Sequence, residues 1–230
     1  MTMQTVVHPR LAARTGSARA SSWWGRAWVR AVEEASYSSA DLLVARRISR
    51  AGQVGQIMVE PGRFVASVED ARGLWTVAGT LPELDDAARE ALVETVAAEA
   101  GRIGALLSGD LPHTMVEHAE EAGVELLPFG SELGSECTCG AWTQPCPHAL
   151  AVLYQLTWLL EADPFVLLHL RGLPRDDLLA RLHHQTREPS EGRGDLGDPD
   201  LEIAEDAALR AARALALLAD DPAARVEHLL

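Results

Sequence analysis

Three cysteines and a histidine fall in one short stretch: Cys137-Thr138-Cys139, a six-residue spacer, then Cys146-Pro147-His148. Thiolate and imidazole are the ligands zinc prefers, and zinc takes four of them in a tetrahedron. In extended backbone alternate side chains face the same way, so a one-residue gap aims both members of each pair at one point. The spacer, residues 140–145, is a loop able to bring the second pair around, and Pro145 and Pro147 stiffen the approach of Cys146. Four protein ligands leave no coordination position for an activated water, so the pattern predicts a structural zinc site. Inert buried cysteines, a redox-active thiol group and a chance cluster are the rival readings. Redox pairs usually have two residues between their cysteines and lie beside a strand–helix unit. Inert burial does not explain why all 3 cysteines gather with a histidine in one Gly- and Pro-rich loop. An odd number cannot all pair as disulfides, and a reducing cytoplasm is the simpler home.

The elements that must position these ligands follow from periodicity. Ser21 or Ser22 could cap a helix from residue 23 to 32, with Trp24, Trp28 and Val32 on one stripe. That stripe reads as core packing, with an aromatic base-stacking surface as the alternative. From Gly55 the period drops to two. Ile57 and Val59, then Phe64, Val65 and Val68, then Leu74, Trp75 and Val77 predict three strands, turned at Pro61-Gly62 and Arg72-Gly73. Short turns between sequential strands make an antiparallel meander. Thr80 and Glu83 fit a capping box, followed by Leu84, Ala88, Leu92, Val96, Ile103 and Leu107 at helical spacing up to Pro112. A shorter helix spans 113–122 and stops at Gly123, and Val124–Leu127 reads as a strand. Residues 149–160 are apolar nearly all round, as in a helix buried in a core. Asp163-Pro164 and Pro174 open two further helices, separated by Gly172.

The expected organisation is a flexible basic arm (1–21), an α+β domain (22–130), the cysteine-bearing segment with its following helices (131–185), and an acidic tail (186–230). The tail comprises a polar linker over 186–198 and an alanine-rich helix to about residue 219.

The 230 residues, 47% hydrophobic with a mean hydropathy of -0.01, are enough for a sizeable core. No run of about 18 apolar residues offers a spanning helix, and no signal-peptide pattern opens the chain. The Arg- and Ser-rich opening could also pass for a transit peptide, although a coding bias toward alanine and arginine gives the same look. Net charge is -14 and unevenly spread. Residues 1–50 set eight arginines against Glu33, Glu34 and Asp41, while the remainder is strongly acidic. Such a body repels nucleic acid unless basic residues cluster locally. Arg26, Arg30, Arg46, Arg47 and Arg50 are the cluster on offer, and weak DNA binding through them is one expectation.

The cysteine spacing resembles the SWIM zinc finger, Cys-x-Cys followed by Cys-x-His. The chain further resembles a bacterial family of SWIM proteins over about residues 22–183. The likeness rests on the aromatic run Trp23-Trp24-Gly25-Arg26-Ala27-Trp28, on Val59-Glu60-Pro61-Gly62-Arg63, on Ala162-Asp163-Pro164-Phe165 and on Leu170-Arg171-Gly172. It implies zinc held by Cys137, Cys139, Cys146 and His148, and a role in contacts with DNA or protein. Family members are often encoded beside SNF2-type helicases, which implies a helicase as the protein partner. The residue between the last Cys and His is often basic in the family; here it is Pro147, which weakens direct phosphate contact at the finger.

Other patterns carry less. Gly192-Arg193-Gly194-Asp195-Leu196-Gly197 satisfies a dinucleotide fingerprint literally, but it follows a helix and sits among acids that would repel a pyrophosphate. His113 and His118 fall on different helix faces, and His183-His184 reads as solvated. The adjacent carboxylates Glu33-Glu34, Asp85-Asp86 and Glu120-Glu121 diverge on their helices. No nucleophile–base constellation is visible. The expectation is therefore a non-enzymatic, zinc-stabilised interaction module of the α+β class, without membrane association.

Overall fold

Alternating burial organises the sheet. In the computed structural model, which describes residues 4–15 and 20–187, five strands form one antiparallel sheet in sequence order: β1 (Val6–His8), β2 (Val54–Glu60), β3 (Arg63–Asp70), β4 (Gly73–Thr80) and β5 (Gly134–Cys137). The central three are the expected meander, with Ile57, Val59, Phe64, Ala66, Val68 and Val77 turned into the core. Gly79 lies opposite Phe64, and a Cβ there would come within 1.9 Å of the phenyl ring. Only glycine fits without moving that ring.

Two further strands join the meander. Val6 pairs with Val59 and His8 with Ile57, so part of the expected flexible arm is an edge strand. Arg10 then donates to Gly52 O at 2.7 Å and the Arg14 amide to Arg50 O at 2.9 Å. Three residues are too few to show a period of two, and their partners lie about fifty positions away. At the other edge β5 pairs with β4, setting Cys137 opposite Val77. The strand expected at 124–127 does not form. Val124 and Leu126 are buried, but the Leu126 carbonyl accepts from buried Arg171 rather than from a neighbouring strand.

The helices are α1 (Trp23–Ala35), α2 (Ser39–Arg50), α3 (Asp86–Ala97), α4 (Ala100–Leu107), α5 (His113–Glu121), α6 (Pro147–Ala162), α7 (Phe165–Leu170) and α8 (Arg175–Arg187). Ser22 caps α1, its hydroxyl accepting from the Gly25 amide at 3.0 Å. α2 shows no clear apolar stripe in the sequence because its buried side is partly small: Ala45 and Ser49 beside Ile48. The capping box at Thr80 is not used, since Thr80 closes β4; Asp85 caps α3 instead, accepting from Ala88 N at 2.8 Å. The single helix expected across 84–107 is two. Buried Arg102 folds back and donates to Thr95 O, a carbonyl near the end of α3, and to Glu99, which stabilises the break. Gly123, at φ +82°, ends α5 in the left-handed region that glycine tolerates.

α6 is the centre of the core, packed against α1, α2 and the sheet. Nearly every one of its residues is buried. The tryptophan stripe of α1 is core: Trp24 donates its indole N–H to Leu160 O at 3.1 Å and Trp28 to Leu153 O at 3.0 Å. Gln155 of α6 donates to Ser49 O at 2.8 Å, tying α2 to the same helix. These bonds satisfy polar atoms that burial would otherwise leave costly.

Residues Met1–Gln185 form one compact unit. The expected boundary near residue 130 is not a packing boundary, because β5 completes the sheet and α6 fills the core beneath it. Of the expected linker only residues 186 and 187 are described, and they end α8. The tail helix and the glycine pattern at 192–197 lie outside the described residues. No helix among the described residues is long and apolar enough to cross a membrane.

Candidate metal centre

Each ligand is placed by a different local device. Cys137 ends β5 and is fixed by the ladder to β4. Thr138 extends that ladder on both sides: its amide donates to Thr76 O at 3.0 Å and its hydroxyl accepts from Thr76 N at 2.9 Å. The chain then reverses at Gly140, φ +66°, immediately after Cys139. Cys146 is the N-cap residue of α6, with Pro147 in the first turn where a missing N–H costs nothing. His148 follows inside that turn, only 3% exposed.

The four ligand atoms lie within 4.8 Å of one another. Cys139 Sγ is 3.6 Å from Cys146 Sγ, and Cys137 Sγ is 3.8 Å from His148 Nδ1. A tetrahedron with Zn–S bonds of about 2.3 Å and a Zn–N bond of about 2.0 Å has edges of roughly 3.5–3.8 Å. The two separations match these edges, and the cluster as a whole is of a size to hold one zinc ion. Burial pushes the Cys137 thiol up to about 12 and also raises Cys146. At Cys139 burial acts upward too, but hydrogen bonds from His148 and the Ala141 amide prevail and bring it to about 7. A bound cation would reverse the balance, since it coordinates only the thiolates.

No sequence pattern marks the group that orients His148. Asp70, at the end of β3, faces the ring from the far side, with Oδ2 3.1 Å from His148 Nε2. The carboxylate is itself fixed: it accepts from the Trp75 indole at 3.1 Å, the Arg72 amide at 2.8 Å and the Gly73 amide at 3.2 Å. The Trp75 bond foremost, with the Arg72 amide and His148, holds it well below the usual carboxylate range. An anionic Asp70 accepts a hydrogen bond from Nε2–H, which keeps the proton on Nε2 and leaves the Nδ1 lone pair for the metal, the arrangement found behind zinc-bound histidines. Trp75 also stacks on the imidazole, with centroids 5.8 Å apart at 27°. An Asp beginning a tight turn was visible in the sequence; its partner 78 positions away was not.

The five arginines singled out from the sequence are divided in space. Arg26, Arg46 and Arg50 line one groove between α1, α2 and α6. Arg47 lines a second cavity with Asp70, Arg72 and His148. Arg30 is exposed on α1 and lines neither.

Residues 123–156 match the family model of the SWIM zinc finger, a span holding all four ligands. The chain is 30% identical over 170 residues to the uncharacterized protein Rv2102 of Mycobacterium tuberculosis, covering 73% of this chain and 61% of that relative's length. No solved structure matches the chain. The matched ligands are drawn into one cluster at the junction of β5 and α6, so residues 123–156 carry the ligand set of the SWIM zinc finger that this segment is similar to.

Proposed function

We propose that this protein is a non-catalytic interaction module that serves DNA-processing machinery, with an SNF2-type helicase as its protein partner. Zinc held by four side chains supplies no open position for substrate, so its contribution is to shape a surface. The observation that carries the reading is Trp142, which is 100% exposed. It sits in the loop whose two ends, Cys139 and Cys146, are zinc ligands. A large indole held out on a metal-pinned loop is the kind of anchor that dominates protein interfaces. The acidic body supports a protein partner over nucleic acid, and the resemblance across residues 22–183 supplies the helicase.

Capture from cell extract with tagged full-length protein, after nuclease treatment, tests this. Wild type should retain an SNF2-type ATPase, and Trp142→Ala should lose it while keeping its zinc. Retention of the same partner by Trp142→Ala would remove the finger loop from the interface.

The second reading is direct DNA binding through Arg26, Arg30, Arg46, Arg47 and Arg50. It draws on Arg26 and Arg50, which form no ion pair among the described residues. Replacing all five with alanine should abolish weak, steeply salt-dependent DNA binding and leave partner capture intact. Nanomolar duplex binding by wild type in physiological salt, with no protein captured, would put this reading first.

A further inference from the structure

The groove between α1 and α2, floored by α6, is a basic concavity on an acidic protein. Its volume is about 600 Å³, within the span of about 300–1,000 Å³ usual for ligand sites. Arg26, Arg46 and Arg50 face a single acid, Glu33, across a chain whose net charge is -14. Glu33 is taken up by Arg46. Arg26 donates only to the Ser21 carbonyl, and Arg50 only to the Arg46 carbonyl of its own helix. Both guanidinium groups are exposed and lack a carboxylate partner among the described residues.

The rest of the wall is apolar or aromatic: Val29, Leu43, Tyr154 and Trp158. Leu43 is 66% exposed at the rim, unusual for a leucine with no partner in place. Trp158 is almost wholly buried. The groove thus combines an apolar interior with two cations that have no carboxylate partner among the described residues.

Charge alone would suit a nucleic acid strand as well as a carboxylate-bearing peptide; the ring faces decide between them. Single strands bind non-specifically by stacking bases on open aromatic faces. Here Arg14 lies 4.1 Å over the Trp158 ring and Arg46 lies 5.5 Å over Tyr154. These faces are already occupied by guanidinium groups, so a base has no platform. A carboxylate needs none: it pairs with the guanidinium groups at the rim while an adjacent apolar side chain enters the groove.

We infer that the α1–α2–α6 groove is a docking site for an acidic segment of a partner protein, one that inserts a large apolar residue flanked by carboxylates that pair with Arg26 and Arg50. The inference is independent of the helicase reading and of the zinc loop, since the groove shares no residue with the metal centre.

Selection from a display library of random peptides on the full-length, zinc-loaded protein tests it. Wild type should enrich peptides with Asp or Glu on both sides of a large apolar residue. By fluorescence anisotropy, Arg26→Glu/Arg50→Glu should weaken an enriched peptide at least about tenfold, and Arg30→Glu should not. Leu43→Glu, at the exposed rim, should weaken it without touching a guanidinium group, which guards against misfolding of the double variant. Enrichment of basic or charge-free peptides, or no enrichment, would overturn the proposal. So would an enriched peptide that binds the double variant as well as wild type. Displacement of the peptide by oligothymidylate at equal concentration, dependent on Arg26 and Arg50, would assign the groove to nucleic acid instead.

Discussion

The zinc centre and the α1–α2–α6 bundle hold their residues together by opposite means. The bundle buries large side chains, with Trp28 fully enclosed and the tryptophan and Gln155 donors anchored on backbone carbonyls of neighbouring helices. The finger loop buries less at its tip: Gly140, Trp142 and Thr143 are exposed, although Cys146 and His148 at its base are buried. In the bundle, dispersion and the hydrophobic effect fix the geometry, and polar groups need only be satisfied. In the loop, coordination has to supply what packing does not. One region should therefore fail by cavity formation and the other by loss of its ion.

The largest effect expected from a single side chain lies in the bundle. Trp28→Ala removes a fully buried indole and its bond to Leu153 O, and should cost about 3–5 kcal/mol in chemical denaturation at saturating zinc. A cost under about 1 kcal/mol would mean that α1 is not part of the cooperative core.

The finger should instead respond to pH. In the metal-free protein Cys137 and Cys146 hold protons at neutral pH, their thiols being raised by burial. Zinc must displace both, so affinity should rise with pH, by about 100-fold per unit above neutrality. Below about pH 7 the slope should steepen, because Cys139 then carries a third proton. Chelator competition across pH 6–8 measures the slope, and a pH-independent affinity would contradict a thiolate site.

Asp70→Ala sharpens the comparison at the boundary between sheet and finger. It leaves every ligand in place but frees the His148 ring, and should weaken zinc about 10–100-fold. An unchanged affinity would show that Trp75 stacking alone orients the ring. Smallest of all should be Trp142→Ala, within about 0.5 kcal/mol of wild type in stability, since the side chain is fully exposed. A large loss would mean the loop packs after all.

The same contrast explains what could be read from sequence. The ligands are legible because coordination chemistry is local: two pairs with one-residue gaps point at one centre whatever the fold. The meander and α6 are legible because their periods repeat over seven or more residues. Asp70 was not, since its meaning depends on His148, far along the chain. β1 was too short to show a period, and α2 hid behind small buried residues and a run of arginines. The break between α3 and α4 depends on Arg102 turning back to Thr95, a side-chain event no propensity encodes. The arginines were legible as residues but not as a surface, because helix packing decided which of them share a groove.

The central claim is that Cys137, Cys139, Cys146 and His148 close around one structural zinc ion. Elemental analysis of purified full-length protein, paired with thiol titration before and after chelation, tests it most directly. The account predicts one zinc per chain, three thiols that react only once the metal is stripped, and no zinc in Cys146→Ser. Folded wild-type protein with no metal and three freely reacting thiols would contradict it.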